Sequence, residues 1–409
     1  LERVSDVTDE LKTLLAEFDK ERAVLKGRVD GLEAKVVVVE AQQFSTTTKL
    51  TGLATMVVGG AGYASNAFNN LTAAGVLPTS LTNGLSFNYD VRLTFDTSFS
   101  GHDLLRTTLR SGNTNTSAFG FNAPASSGGS AVTLGTAMEV FYQDTSAGNN
   151  SVGINRLFYQ LPIGRTLTAT VGARVRQDDM LAMWPSVYPD DTMIDLFTYA
   201  GAPMAYTMPL GAGAGLWWRD GGLSISANYI SANGGSGFSS AADAEGGGGI
   251  GNNNSASTAT LQLGYAADTW GLAATYAYSQ CPIGYAPQAT NFVVDLLSGR
   301  TDGTLSSTQG LGLSAYWQPA QPGWIPSLSV GWGVGNTLLL NQAGEASGQD
   351  FTTNSWIVGL EWADAFAKDN ALGFGFGQNT FVTRMSANLA AALGQSGPYD
   401  GNWAWELWY

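Results

Sequence analysis

Arginines recur where polar and apolar residues alternate along this chain. From Leu85 to Asp96 the alternation is unbroken, so Asp90 and Arg92 share the polar face of a strand. The same phase places further arginines on that face: Arg106, Arg110, Arg156, Arg174 and Arg176. In a narrow, poorly solvated space such a ladder would act strongly on passing ions. The other interpretation, compatible with the first, is that these arginines brace an inward-folded loop through carboxylate pairs.

An acidic stretch is the natural partner for that face. Residues 177–210 form a connection of 34 residues that carries five aspartates: Asp178, Asp179, Asp190, Asp191 and Asp195. Connections of this length usually have a function, so we expect this loop to fold inwards and form a constriction opposite the arginines. A calcium site is the less favoured alternative, since the spacing lacks the regular alternation of a calcium loop. A solvated outer loop is a third possibility.

Covalent chemistry is not indicated by the remaining reactive residues. His102 and Cys281 each stand alone in the sequence, which argues against a histidine-based triad, a histidine metal site or an intrachain disulfide. The net charge of -14 makes nucleic acid an unsuitable partner. We therefore expect no enzyme activity, no cofactor and no bound metal.

The elements that must position these residues are strands, and their apolar face must be covered either by other protein or by lipid. Charged residues make up 13% of the chain, against about 25% in soluble proteins, and 52 residues are glycine. No run of about 18 apolar residues occurs, which excludes a helical membrane protein. Helical patterns end near residue 43, so no helices could cover the sheet. The pattern predicts an all-β transmembrane antiparallel β-barrel with lipid outside and a polar lumen inside.

Fourteen strands are predicted, because long and short connections alternate strictly after the first strand and an even count is usual. The predicted strands are 43–58, 85–97, 103–111, 152–161, 165–176, 211–219, 223–231, 258–267, 270–280, 307–317, 326–334, 352–362, 371–378 and 401–409. Residues 131–144 could add a strand and give a count of sixteen. The short connections belong on the periplasmic side, together with both termini.

Residues 1–41 have a different period and predict a periplasmic helical stalk joined to a barrel domain of residues 42–409. One heptad position is apolar throughout: Val4, Leu11, Phe18, Leu25, Leu32 and Val39. A helix of about six heptads is not stable alone, and this mixed seam favours a self-associating coiled coil. The alternative is a helix packed on the barrel or in its lumen.

Three segments resemble a known family: residues 40–52, 100–113 and 157–162 are similar to the cyanobacterial major outer-membrane porins. That family is also called the iron uptake porins and is grouped with the carbohydrate-selective OprB-type porins. The resemblance implies a homotrimer whose N-terminal surface-layer-homology domain binds peptidoglycan-linked polysaccharide. This sequence lacks that domain and begins at Leu1 without Met, so we expect a processed or incomplete form.

The function expected from the sequence is a trimeric porin in the cell outer membrane that passes small hydrophilic solutes or inorganic ions by diffusion. Its partners would be other copies of itself, outer-membrane lipid and, through the missing domain, the cell wall. The main alternative is a largely closed barrel that anchors the outer membrane to peptidoglycan. An outer-membrane hydrolase is a third hypothesis, for which alternation reveals no inward catalytic cluster.

Overall fold

The structure of the chain is a computed structural model. It describes parts of residues 11–33, and then 47–60, 85–113, 138, 150–190, 192–237, 247–280, 289–290, 293, 305–321, 323–340, 346–394 and 403–409. The chain divides into two units, Leu1–Leu50 and Thr51–Tyr409.

The first unit is helical wherever it is described between residues 11 and 33. Among the apolar heptad positions, Leu11, Phe18 and Leu25 lie on this helix and are more than half exposed. The remaining three, Val4, Leu32 and Val39, lie outside the described residues. No helix in the described part of the chain is long and apolar enough to cross a bilayer.

The second unit is built on one antiparallel sheet whose strands pair in sequence order. Fourteen strands are present in the described ranges, which confirms the predicted count there. They are β1 (Thr48–Gly59), β2 (Ser86–Thr97), β3 (Leu104–Gly112), β4 (Gly153–Ile163), β5 (Leu167–Arg176), β6 (Leu210–Asp220), β7 (Leu223–Ser231), β8 (Ser257–Ala266), β9 (Trp270–Gln280), β10 (Leu305–Trp317), β11 (Ser327–Leu340), β12 (Ala346–Ala363), β13 (Ala371–Met385) and β14 (Trp403–Trp408). The candidate fifteenth strand, 131–144, lies outside the described residues except for position 138.

The distribution of apolar and polar side chains over the two faces of this sheet is the reverse of that in a soluble protein. Large apolar side chains such as Phe87 and Leu263 are exposed on one face, while Ser226, Gln262 and Thr275 on the other face are fully buried. Burying polar groups is tolerated only when they find hydrogen-bond partners, so the buried polar face must itself be covered by polar structure. We call this buried polar face the inner face.

Residues 177–209, which connect β5 to β6, cover much of the inner face; we call them the inner segment. They contact eleven consecutive strands, from β4, where Gln160 donates to the backbone oxygen of Asp179, to β14, where Glu406 accepts from the backbone nitrogen of Ile194. Two apolar clusters on this face are built largely from inner-segment residues such as Phe197 and Tyr206. A separate cluster around Phe351 and Leu389 contains no residue of the segment. The inner segment therefore supplies a large part of the core of the second unit.

Contacts of the inner segment require the sheet to curve. Ala182 bonds to Ser226 on β7 and Tyr188 bonds to Glu406 on β14. Six extended residues reach at most about 20 Å. Seven strand spacings on a flat sheet cover about 34 Å, and the tyrosine side chain is too short to supply the difference. The Ser226 and Glu406 side chains add little, because side chains of a flat sheet stand roughly perpendicular to it. The strands therefore wrap around the inner segment, as the wall of a barrel does.

Strand ends on the long-connection side differ from the predicted ones. Strand β11 continues to Leu340 and β13 to Met385, several residues beyond the predicted ends at 334 and 378. Register shifts between Thr352 and Thr353 and between Asn354 and Trp356 break the alternation there, so pairing continues where the sequence pattern stops.

A short helix, Ala387–Leu393, lies in a connection predicted to have no secondary structure. The Ser386 hydroxyl caps its first turn by accepting from the Leu389 backbone nitrogen. Gly394 ends it with a φ of 64°, a conformation that glycine adopts without strain. The apolar period over seven residues is too short to predict a helix from sequence.

Candidate functional site

Four of the predicted arginines lie side by side on the inner face of β2, β3 and β4. The strand register sets Arg92 opposite Arg110 and Asp96 opposite Arg106. Arg156 follows on the neighbouring strand β4. We call Arg92, Arg106, Arg110 and Arg156 the arginine wall. Like charges directly opposite each other on two strands repel, so the wall needs carboxylates to be stable.

Asp90 supplies one carboxylate for two members of the wall. Its Oδ1 atom accepts from Arg110 Nε at 2.7 Å and its Oδ2 atom accepts from Arg92 Nε at 2.8 Å. The Asp90 side chain is 1% exposed and that of Arg92 is 22% exposed. The acid therefore lies beneath the arginine, and the guanidinium group is the part of this cluster that solvent reaches.

Arg106 forms a second, more exposed ion pair. Its Nε and Nη2 atoms each donate to one oxygen of Asp96 at 2.8 Å, which is the two-pronged geometry that fixes a guanidinium plane. The guanidinium carbon also lies 6.0 Å from the centre of the Phe158 ring. Arg106 is thus held in one orientation while a third of its side chain stays accessible.

The first two predicted aspartates form ion pairs at the start of the inner segment, and one of them, Asp179, binds the wall. Arg156 Nε donates to Asp179 at 2.6 Å, and Arg176 donates to both oxygens of Asp178 at 2.6 Å. Burial would raise the pKa of Asp178, but the Arg176 guanidinium outweighs it and lowers this pKa to about 2. Asp178 is therefore ionised at neutral pH and forms an ion pair with Arg176 at the end of β5.

Arg174 departs from the predicted alternation. The register of β5 shifts between Gly172 and Val175, and Val175 packs with Phe158 in a buried apolar cluster on the inner face. The alternating phase therefore does not continue to Arg174, which lines a cavity of about 360 Å³ with Asn233. A bulge of this kind interrupts the alternation of sides along a strand.

The other predicted aspartates do not lie against the wall in the described structure. Asp190 is exposed on the inner segment, and Asp191 lies outside the described residues. Asp195 is 2% exposed and accepts a hydrogen bond from the Thr198 hydroxyl at 3.0 Å inside a 3-10 turn, Asp195–Tyr199. The five aspartates that are close in the sequence therefore do not form one acidic cluster in the described structure.

Gln177 closes the base of the inner segment. Its side-chain nitrogen donates to the backbone oxygen of Ala205 and to the Thr260 hydroxyl, while its side-chain oxygen accepts from the backbone nitrogen of Met208. Both ends of the segment are joined through one side chain that is 1% exposed. All the polar atoms of this buried amide have partners, which holds the segment ends together at little desolvation cost.

The middle of the inner segment is held by the last strand. Glu406 on β14 accepts from the Tyr188 hydroxyl at 2.6 Å and from the backbone nitrogen of Ile194 at 2.8 Å. The Trp408 indole nitrogen donates to the same tyrosine hydroxyl at 2.9 Å. The start of the segment is therefore anchored at β4 and its middle at β14.

One of these anchors, Glu406, has a recognisable signal in the sequence. Glu406 is a carboxylate at an inward position of a terminal strand that is otherwise apolar and aromatic. A charge at such a position needs a buried partner, and Tyr188 is that partner. Gln177 carries no comparable signal, because an amide beside two aspartates is common in any loop.

Among the residues that the structure describes, no three His, Cys, Asp or Glu side chains are grouped closely enough to hold an ion. The adjacent carboxylates of Asp178 and Asp179 are each paired with an arginine.

These features define a class of protein: a curved antiparallel sheet that is apolar outside and polar inside, with a charged wall facing a segment folded onto the inner face. The chain belongs to the OprB family of carbohydrate-selective porins, whose family profile it matches over residues 8–409. Porins are channels of the outer membrane rather than enzymes.

Two cyanobacterial relatives are similar along most of the chain. An uncharacterized protein of Nostoc sp. is 29% identical over 403 residues, which cover 92% of this chain and 62% of the relative. An uncharacterized protein of Synechocystis sp. is 28% identical over 422 residues, covering 96% of this chain and 68% of the relative. The chain thus spans about two thirds of the length of these relatives.

Solved porin structures are distant in sequence. A high pH structure of Pseudomonas putida OprB matches with a TM-score of 0.48 and 10% identity, covering 86% of this chain and 80% of that one. The trimer form of Vibrio cholerae OmpT matches with a TM-score of 0.37 and 8% identity, covering 88% of this chain and 100% of that one.

Proposed function

We propose that this chain forms a passive diffusion channel in the outer membrane for small hydrophilic solutes and inorganic ions. Family membership supports a porin, and the inverted faces of the sheet support a wall between lipid and water. The single observation that carries the proposal is the ion-paired arginine wall on the inner face, since charged groups are stable there only beside water or fixed partners.

The proposed path runs between the arginine wall and the inner segment. Arg92 and Arg106 are the wall members with the most accessible side chains, at 22% and 35%, so a passing solute would contact their guanidinium groups. Guanidinium groups held by carboxylates present fixed donors to ions and to the hydroxyl groups of sugars. This chemistry suits both small ions and carbohydrates.

Planar bilayer recording of the purified protein tests the proposal. We expect discrete conductance steps, a reversal potential in a salt gradient that gives the preferred ion sign, and partial block by sugars if carbohydrates enter. Arg106→Gln should alter conductance, whereas Arg219→Gln, at the β6 end, should leave it unchanged. The absence of any conductance from correctly folded protein would contradict the porin proposal.

The second candidate function is a largely closed barrel that anchors the outer membrane. The observation in its favour is the extent of the inner segment, which contacts the inner face of eleven strands and fills space that a wide pore would need. Under this function the arginine wall would only brace the segment. Folded protein would then be silent in bilayers, while its removal from cells would detach the outer membrane.

We further propose that the chain assembles as a homotrimer through residues 1–41 and that this coiled coil extends into the periplasm towards the cell wall. Its support is the exposed apolar side chains of Leu11, Phe18 and Leu25 on a helical stretch. An isolated helix of this kind is marginal in water, so association would stabilise it.

A further inference from the structure

Glycines recur at every second position on the inner face of two neighbouring strands. Gly310 and Gly312 lie on β10, and Gly331, Gly333 and Gly335 lie on β11. Successive inward positions of a strand are two residues apart, so each strand presents a strip without side chains to the interior. We call these five residues the glycine bed.

The backbone of the inner segment lies directly on this bed. A Cβ atom added at Gly331 would lie 1.8 Å from the Ala200 carbonyl oxygen and 2.6 Å from its carbonyl carbon. A Cβ atom at Gly310 would lie 1.9 Å from the Met204 carbonyl oxygen. These are backbone atoms, which cannot rotate out of the way, so any side chain at either position must displace the segment itself.

Two serines fix the segment at the same place. Ser314 on β10 donates its hydroxyl to the Ala200 carbonyl oxygen at 2.7 Å, and Ser355 on β12 donates to the Gly201 carbonyl oxygen at 2.9 Å. Ala200 has a φ of 47° and Gly201 a φ of 76°, so the backbone turns here in a left-handed conformation. Position and conformation of residues 200–201 are therefore both set by β10, β11 and β12.

We propose that the glycine bed determines the size limit of the channel, by letting the inner segment lie flat on β10 and β11 and so leaving free the space beside the arginine wall. This inference rests on the proposed function and names the residues that set its selectivity by size. The segment is a fixed part of the wall in this account, because Gln177, Glu406 and the two serines hold it at separate points.

The central test variant is Gly331→Ala, with Gly310→Ala as a second site on the same bed. Each added methyl group must move the inner segment away from β10 and β11. Since the segment lies between this bed and the rest of the interior, a displaced segment changes the free cross-section. We expect a shift in single-channel conductance and in the largest sugar admitted, measured by swelling of liposomes in glucose, maltose and maltotriose.

A control and a milder variant keep the test independent of folding. Gly323→Ala adds the same methyl group where nothing lies within 4 Å and should behave as the unmodified chain. The double variant Ser314→Ala and Ser355→Ala removes the two hydroxyl donors without adding an atom, so the segment is loosened but not pushed. Hydrogen exchange of residues 178–208 reports on the segment directly and should rise in the bed variants and not in the control.

The outcomes separate this inference from the proposed function. If the unmodified chain conducts and the folded bed variants shift the size limit, both stand. If it conducts and the folded bed variants admit the same sugars with the same conductance, the glycine bed does not set the size limit. If it is silent and a bed variant conducts, the open-channel proposal is wrong while the bed is shown to seat the segment. Silence from every folded variant overturns both.

Discussion

Asp90 shows how a single residue makes the arginine wall possible. One buried carboxylate lies between Arg92 and Arg110, two arginines that face each other across β2 and β3. Without that carboxylate two guanidinium groups would repel each other in a poorly solvated place. The arrangement matters as well, because the carboxylate of Asp90 is buried while the side chain of Arg92 remains partly exposed to solvent.

The first prediction follows from that burial. Asp90→Asn removes the carboxylate and leaves Arg110, 6% exposed, beside a neutral amide. We expect the free energy of unfolding to fall by about 3 kcal/mol, as for other broken buried pairs. Asp96→Asn is the matched control at a pair about one-third exposed, where we expect a loss of about 1 kcal/mol or less. Urea unfolding of the refolded protein measures both, and equal losses would contradict the argument.

A second residue-scale prediction concerns pH and the turn between β2 and β3. The Asp103 carboxylate accepts from the Ser100 hydroxyl and backbone nitrogen, from the Tyr159 hydroxyl and from the Ser98 hydroxyl. These hydrogen bonds stabilise the ionised form and hold the pKa of Asp103 far below its usual range. Because the folded-state pKa is depressed, the stabilisation is fully present above the unfolded-state pKa of about 4 and declines as pH falls below it.

Asp103→Asn tests this linkage. We expect the variant to lose stability at pH 7 and the difference from the unmodified chain to shrink between about pH 4 and pH 2. Asp364→Asn, in another short turn, serves as the control, since its side chain accepts only from the backbone nitrogen of Asp369 in that turn's described hydrogen bonds. Denaturant midpoints at several pH values give the answer; a difference that stays constant with pH would show that Asp103 acts by shape alone.

At the scale of elements, the inner segment behaves as one piece because its ends meet. Gln177 joins the first residue of the segment to Ala205 and Met208, near its last. A long connection whose ends lie close together and which is packed by its own side chains is a compact loop. The inner segment is therefore one element, fixed to the strands of the inner face at several points.

Gln177→Ala should loosen that base. Removing the amide leaves the Met208 backbone nitrogen and the Ala205 carbonyl without this partner, and we expect a loss of about 1 to 3 kcal/mol. Hydrogen exchange should rise over residues 178–208 and stay unchanged in β2 and β3. Gln309→Ala removes an amide from the exposed outer side of β10 and should change neither quantity. Uniform exchange along the whole sheet would mean that the base of the segment is not held by Gln177.

The parts of this architecture that sequence could predict are those with an unbroken period. The strict alternation of polar and apolar residues in β2 placed Asp90 and Arg92 correctly on one face, because successive side chains of a strand point to opposite sides of the sheet. The same rule fails at Arg174, where β5 contains a register shift that no local residue pattern announces. The glycine bed was visible as a spacing of two, but its purpose depends on a backbone that comes from residues 200–204, more than a hundred positions away.

At the scale of the whole molecule, the stalk sequence makes the last prediction. An isolated helix over residues 1–41 has too little buried surface to be stable, so its apolar heptad positions need partner copies. Phe18→Glu in the full chain puts a charge into that seam, and we expect the proposed trimer to dissociate while the barrel still inserts. Lys20→Glu reverses a charge at a heptad position that faces away from the seam and should leave assembly intact. Native mass spectrometry and cross-linking of the detergent-solubilised protein distinguish the two.

A Phe18→Glu protein that stays trimeric would place the assembly contacts on the outer face of the sheet instead, where exposed leucines and tryptophans of β8 to β11 are available to meet a neighbouring copy.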